Sequence, residues 1–400
     1  RNIVSTYPII HERVLLLITH FLIYKREFGS SIEKTLYCNM TVPEFIDRLL
    51  KKRAVTFMTK KDTYKLLTGE TGNGGWEQVG TLQQKPPLEL ENCLSYDEIK
   101  ISAMVYVSGY TECINDGNRY NQAIINEKNV EEDAVIIGLI GPRFDRPERM
   151  EYEDILITEQ QNTSENGYGE EVTPTTCLNI WSEFYQELTS YVNITDKPED
   201  KKYLERYVKT SRGIFDNEVY YKRVSVLAES SLFEAEWRGR DADRMAFLNV
   251  IGCGLGVWKM SPHQNDVYIL TFLERIRAFL KKDLLNHVSD VNFSYIKPSK
   301  PILGGINVQL EQREPSAKLK GEHEGKLLVM TYPWDGNAHP GNEFWLGNLQ
   351  GSGDPAAACS TQIAELHNAH INPAVSGLNT RVVGRHGLKT LSEYCADLTT

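Results

Sequence analysis

Between Leu327 and Trp345 the chain reads LLVMTYPWDGNAHPGNEFW, a short apolar run that breaks into a loop holding Asp335, Asn337, His339, Asn342 and Glu343 among Gly336, Pro340 and Gly341. Carboxylates and amides of this kind can hold or move a proton and hydrogen-bond hydroxyl groups. A buried strand ending in a polar, glycine-punctuated loop is how an α/β sheet presents chemistry at its carboxyl edge. The loop therefore reads as one wall of an active site, beside the plainer alternative of a turn followed by a helix cap.

Three further junctions have the same form. An alternating apolar run, Ile99 to Val107, leads to Cys113-Ile114-Asn115-Asp116-Gly117-Asn118-Arg119-Tyr120-Asn121. Val135 to Ile140 is a continuous apolar strand ending at Gly141-Pro142-Arg143-Phe144. Met245 to Ile251 is a third, stopping at Gly252-Cys253-Gly254-Leu255-Gly256-Val257-Trp258 before a helix from about Asn265 to Lys282. Strand, glycine loop and helix together can receive a phosphate on backbone amides, and alternate glycines let the backbone approach an anion. Tight packing at a strand end explains the same glycines equally well. The turn from Gly69 to Gly75 lacks the Lys-Ser/Thr ending of a P-loop and is given no nucleotide role.

The elements that must position these loops follow from periodicity and caps. Helices are expected between His11 and Lys61, with Thr41 capping and Pro43 in the first turn, and from Tyr220 to Trp237. Further strands are expected over Asp290 to Ile296 and Ile306 to Leu310, and a helix over Ala356 to His367 with Asp354 as its N-cap. Residues 158–202 turn acidic and polar, and read as an insertion carrying one helix over Ile180 to Leu188. The division expected is a mainly helical region, 1–90, packed on an α/β unit, 91–400.

Bulk properties remove several classes of function. A net charge of −10 over 400 residues argues against non-specific nucleic-acid binding and against an anionic membrane surface. Val14 to Tyr24 is apolar but interrupted by His20, and falls short of the roughly 20 residues of a membrane span. The 7 cysteines are scattered without a C-x-x-C pair, which suits a reducing compartment and gives no zinc framework. His367 and His370 lack a third ligand of suitable spacing, so no metal is expected. The N-x-S/T matches at Asn39, Asn162 and Asn193 are taken as chance.

Four motifs in one order give a more specific signal. They are Ser95-Tyr96-Asp97-Glu98-Ile99, Ile114-Asn115-x-Gly117-x-Arg119-x-Asn121, Gly254-Leu255-Gly256-Val257-Trp258, and Trp334-Asp335-Gly336-Asn337 with Pro340-Gly341-Asn342-Glu343-x-Trp345. Together they resemble a family of macro-domain-like ADP-ribosyl hydrolases that includes a Legionella effector acting on ADP-ribosylated ubiquitin. The resemblance implies a mixed sheet flanked by helices, with ADP-ribose across its carboxyl edge and the diphosphate on glycine loops, here Gly254, Leu255, Gly256, Val257 and Trp258. It also implies that the amide-rich loop from Asn115 to Asn121 embraces the distal ribose. The paired-glutamate signature of poly(ADP-ribose) glycohydrolases is absent, so their catalytic residues cannot be carried over.

Cleaving an N-glycosidic bond to arginine passes through a cation-like sugar and needs negative charge at the anomeric carbon and an activated water. Asp335 and Glu343 are the catalytic candidates and Asp116 a third, with the choice of base open. Each has a structural alternative: a turn cap for Asp335, an arginine partner for Glu343, a solvent-facing turn for Asp116. Asn118, Asn121, Asn337 and Asn342 are candidates for ribose hydroxyls, and Arg119 or Arg143 for a phosphate. Trp258, Phe344 and Trp345 are candidate stacking partners of adenine, and Asp290 a candidate acceptor for its amino group. The expected activity is removal of ADP-ribose from a protein arginine without a cofactor. By resemblance the substrate is ubiquitin, with a host ubiquitin-pathway protein as possible partner. A cytosolic setting is expected, the host cytosol for a secreted effector. The rival readings are a non-catalytic ADP-ribose reader and a protein-interaction module.

Overall fold

The computed structural model describes residues 1–168, 176–186, 205–297 and 306–399. Among them the centre is a nine-stranded mixed sheet. Its strands are β1 (Tyr7–His11), β2 (Tyr106–Glu112), β3 (Asp133–Leu139), β4 (Ala246–Ile251), β5 (Val288–Ser294), β6 (Asn307–Gln309), β7 (Leu327–Pro333), β8 (Arg381–Gly384) and β9 (Gly387–Thr390). Their spatial order is β6-β5-β4-β7-β3-β2-β1-β8-β9. From β6 to β3 every pairing is parallel, with Leu248 opposite Val329 and Val329 opposite Val135. Five carboxyl ends therefore share one edge of the sheet. Strands buried on both faces read as unbroken apolar runs, which is why Leu327–Tyr332 and Ala134–Leu139 lack alternation.

Helices flank this sheet, as expected. In α1 (Glu12–Phe28) the buried positions Val14, Leu17, Ile18, Phe21 and Leu22 recur at helical spacing, with Lys25 and Arg26 complementing the dipole in the last turn. The next amphipathic helix, α2 (Val42–Lys51), starts from a reciprocal Thr41–Glu44 capping box and buries Phe45, Ile46, Leu49 and Leu50. The longest helix, α3 (Asn217–Asp241), is buried along most of its length and lies against β1, β3, β4, β5, β7, β8 and β9, with α4 (Gln264–Leu280) packed beside it. Its charged residues are paired there: Glu234 accepts from Tyr7 Oη at 2.9 Å, Ser108 Oγ at 2.6 Å and Arg238 Nε at 2.7 Å.

Several local expectations change. Residues 1–90 hold helices, and they also supply β1 to the central sheet and a separate three-stranded sheet over Thr56–Met58, Thr63–Lys65 and Thr71–Asn73. The run from Ile99 to Val107 divides into a helix, Tyr96–Ser102, capped by Ser95 and Glu98, and the start of β2. The helix expected over Ala356 to His367 breaks into Gly353–Ala358 and Ile363–Leu366. Ser360 Oγ and Thr361 Oγ1 donate to the Ala356 and Ala357 carbonyls at 2.8 and 2.7 Å, the local competition that interrupts helices. Within 158–202 a helix spans Leu178–Tyr185, while Leu188, Asn193 and the rest of 187–202, with 169–175, lie outside the described residues. No helix among the described residues is long and apolar enough to cross a membrane.

Arg223 ties α3 to the functional edge. Fully buried, it donates from Nε to Glu151 Oε1 at 2.8 Å and from Nη2 to the carbonyls of Ala103 and Ile140 at 3.1 and 3.0 Å. Breaking such a pair strands a buried carboxylate. Arg223→Ala is expected to lower the unfolding free energy by about 3–5 kcal/mol in urea titration, and a loss under about 1 kcal/mol would contradict this anchoring.

Candidate active site

A cavity of about 970 Å³ opens at the shared carboxyl edge. Its walls are the strand ends and the loops that leave them: Gly141 after β3, Ile251, Gly252 and Gly254 to Trp258 at the end of β4, Tyr295 after β5, and Pro333 to Asp335 at the end of β7. Phe57 to Lys60 from the N-terminal segment and Gly351 to Asp354 close the sides. The volume is that of a site for a ligand of tens of atoms.

One corner is acidic, and Asp335, Glu343 and Asp354 all line it. Asp335 lies two residues past the end of β7, and its loop is held from several sides. Trp334 N–H donates to the Leu139 carbonyl at 2.8 Å, Ser102 Oγ to that of Gly336 at 3.2 Å, and His339 N–H to that of Ala54 at 3.0 Å. The Arg53 guanidinium lies 4.2 Å from the Trp334 ring centre. Asn342 Nδ2 donates to Asp335 Oδ2 at 3.0 Å. Burial raises Asp335 to about 6, against the opposing hydrogen bond of Asn342 and the charge of Arg143, and the nearby Glu343 adds to the rise.

Glu343 stands in the first turn of the short helix Asn342–Trp345, and accepts from the Ser352 hydroxyl. Asp354, expected as the cap of its own helix, lies inside Gly353–Ala358 and reaches across instead. Its carboxylate accepts from the backbone N–H groups of Gly341 at 3.1 Å and Glu343 at 3.2 Å. Gly341 adopts a φ of 68°, which favours glycine at this cap. Burial, then the charge of Asp335, hold the Asp354 carboxyl well above the ordinary range.

Beside this corner the glycine loop after β4 meets the loop after β3. A Cβ at Gly141 would stand 2.3 Å from the backbone of Cys253 and Gly254, so only glycine permits the approach. A Cβ at Gly256 would meet open space. Among the described residues the N–H groups of Gly254, Gly256 and Val257 have no hydrogen-bond partner, so they are free to receive an anion. Lys60, Arg119 and Arg212 line the same cavity with positive charge.

The sequence expectations divide accordingly. Asp335, Glu343, Arg119 and the run Gly254, Leu255, Gly256, Val257 and Trp258 reach the cavity. Asn337 and Asn342 are buried in the acidic loop just behind, each with an unpartnered side-chain oxygen among the described residues. Arg143 is also buried behind the wall, donating from Nη2 to the Thr59 carbonyl at 2.9 Å, with Nε 2.6 Å from Asp145 Oδ1.

The amide-rich loop reaches the cavity through Gly117 and Arg119, while its other candidates do not line it. Asn115 Nδ2 donates to the carbonyls of Ile124 and Cys359 at 3.2 and 3.1 Å, and Asn121 Nδ2 to that of Ala356 at 3.0 Å. Asn118 donates to Glu314 Oε1 at 3.0 Å, and Asp116 Oδ1 accepts from Asn118 N–H at 3.1 Å in a local turn. These side chains bond within the loop and to its neighbours, off the cavity wall.

Phe344 and Trp345 also lie off the cavity wall. Asp290 is placed elsewhere altogether. It sits in the amino-terminal half of β5, accepting from Lys326 Nζ at 2.6 Å and Asn307 Nδ2 at 2.7 Å, so its carboxylate is already satisfied. The sequence reading missed Asp354, Ser352 and the cavity-lining Lys60, Arg212 and Tyr295. An acid two residues behind Ser352 in a Gly-Ser-Gly-Asp-Pro turn carries only a capping signal.

The unfolded chain ionises Asp335 at an ordinary carboxylate pH, and the folded chain only near 6. Between those values the folded state binds more protons, so this group's contribution to stability falls as pH rises through about 4 to 6. Asp335→Asn is expected to raise the unfolding free energy at pH 7 by about 1–3 kcal/mol, with the gain vanishing below about pH 4. Denaturant titration across pH checks this; a loss of stability at pH 7 would contradict it.

Comparisons with known proteins bear on this geometry. The sequence model of a family described as "ADP-ribosylhydrolase MavL-like" matches residues 1–397. A Drosophila melanogaster protein named ADP-ribosylarginine hydrolase CG3568 is 44% identical over 424 residues, covering 99% of this chain and 82% of the relative. A second, ADP-ribosylarginine hydrolase CG2909 of the same fly, is 39% identical over 423 residues, covering 98% and 82%. An acid corner beside an open glycine loop is thus found in a chain that belongs to the MavL-like ADP-ribosylhydrolase family.

Proposed function

We propose that this enzyme hydrolyses the N-glycosidic bond between ADP-ribose and a protein arginine. The observation that carries the reading is the group of three carboxylates, Asp335, Glu343 and Asp354, in one cavity with the unpaired amides of the glycine loop. The names of the two fly relatives support the arginine linkage. The macro-domain-like description belongs to the same proposal, supported by the parallel strand ends and the glycine loop after β4.

In this reading the amides of Gly254, Gly256 and Val257 receive the diphosphate, with Lys60, Arg119 and Arg212 adding cationic character. The modified guanidinium enters the acidic corner, where opposite charge favours it. Asp335 is the general base, since a carboxyl raised to about 6 is ionised at neutral pH yet more basic than an exposed one. It takes a proton from water as the oxygen bonds to the anomeric carbon. The carbon–nitrogen electron pair leaves on the neutral guanidine, which takes up the proton that Asp335 removed from water, and Glu343 supplies negative charge to the cation-like sugar. Asp354 fixes the backbone of Gly341 and Glu343 and so positions that carboxylate.

Ubiquitin is the protein substrate favoured by the motif resemblance. With relatives from an animal, the chemistry requires neither a bacterial effector nor a host-cell destination.

The test measures ADP-ribose release from arginine-ADP-ribosylated ubiquitin and from ADP-ribosylated agmatine, with ADP-ribose binding titrated in parallel. Asp335→Asn and Glu343→Gln are each expected to lower kcat by about 100-fold or more while ADP-ribose still binds. Turnover kept by both variants would exclude the acids, and binding without wild-type turnover would make the chain a reader. Agmatine turnover without ubiquitin turnover would remove ubiquitin alone. The acid limb of the wild-type pH–rate profile is expected near 6. Asn342→Leu removes a hydrogen bond to the charged form and moves that limb to higher pH. An unmoved limb would show that Asp335 is not the group observed.

A further inference from the structure

Immediately after Glu343 the chain leaves apolar side chains in water. Trp345, Leu346 and Leu349 are 41%, 43% and 38% exposed, although Glu343 itself lines the cavity. The amide-rich loop runs alongside, with Gly351 N–H donating to the Arg119 carbonyl at 2.9 Å and Gln122 Nε2 bonding to Gln350 Oε1. It adds Tyr120 and Ile124, 66% and 65% exposed. Single exposed apolar residues are ordinary, but a group of them at the rim of a polar site marks a contact surface. Trp and Tyr are also the side chains most often used as binding anchors.

We infer that this rim is a docking shelf for the polypeptide that carries the modified arginine, and that it selects apolar residues flanking that arginine. The inference rests on the hydrolase reading and deepens it. The charge of the acidic corner decides the occupant: Asp335 and Glu343 draw in a guanidinium, which in a protein substrate arrives with its backbone and neighbours attached. The residues flanking that guanidinium meet the rim next to Glu343, and the rim there is apolar. None of Tyr120, Ile124, Trp345, Leu346 and Leu349 lines the cavity, so the shelf contacts the polypeptide and not the ADP-ribose.

The experiment compares three arginine-ADP-ribosylated probes: a peptide with leucine and valine beside the modified arginine, the same peptide with serine and glycine there, and ADP-ribosylated agmatine. Wild type is expected to favour the apolar-flanked peptide by about tenfold in kcat/KM, the effect of partly burying one or two aliphatic side chains. Leu346→Asp and Leu349→Asp are expected to abolish that preference through KM, with agmatine turnover unchanged. Their exposed positions leave the fold intact, which unchanged thermal unfolding verifies. Equal turnover of both peptides by wild type, or a preference that survives both substitutions, overturns the shelf. Failure to turn over agmatine or either peptide overturns the hydrolase reading, and this inference with it.

Discussion

Crowding three carboxylates at the end of one buried strand is the constraint on which the rest of this molecule depends. Like charges out of water repel and lose hydration, so each must be held by the fold or it would swing away. Asp354 is held by two backbone amides, Asp335 by Asn342, and Glu343 by the Ser352 hydroxyl. The loop carrying Asp335 is in turn fixed to β3, to Ser102 and to the N-terminal segment at Ala54. The raised proton affinity of Asp335 results first from its burial, with the nearby Glu343 adding to it, and that same burial costs the protein stability.

Sheet order decides what stands next to those acids. Because β7 lies between β4 and β3, the loops after its two neighbours converge beside its end. They approach backbone to backbone at Gly141 and Cys253–Gly254, a contact that any side chain would block. The result is a surface of unpaired amides and an acidic corner in one cavity. A ligand with phosphates at one part and a cationic leaving group at another matches that polarity. The N-terminal residues belong to the same construction, since β1 lies inside the sheet and Phe57 to Lys60 form a wall.

Much of this was legible from local sequence because the parallel strands announce themselves as apolar runs that stop at polar or glycine loops. Asp335, Glu343 and the glycine loop, which reach the cavity, follow such runs. Less legible was which side chains are already occupied by partners distant in the chain. Asn115 and Asn121 have the composition of a ribose loop, yet their amides bond to Cys359 and Ala356, more than two hundred residues away. Asp290 is neutralised by Lys326, and Asp354 looks like a local cap while capping a different helix. The Ile99 to Val107 run was ambiguous because a short apolar stretch fits a helix or a strand alike, and the Ser95–Glu98 box settles the first half as helix.

The central claim is that the acidic corner breaks the bond between the sugar and the guanidinium and no other. Mass spectrometry of both products from an arginine-ADP-ribosylated peptide tests it most directly. The account predicts intact ADP-ribose and a peptide whose arginine is restored unmodified. A peptide retaining phosphoribose, which reports cleavage at the diphosphate, or one bearing ornithine, which reports cleavage within the guanidinium, would contradict it.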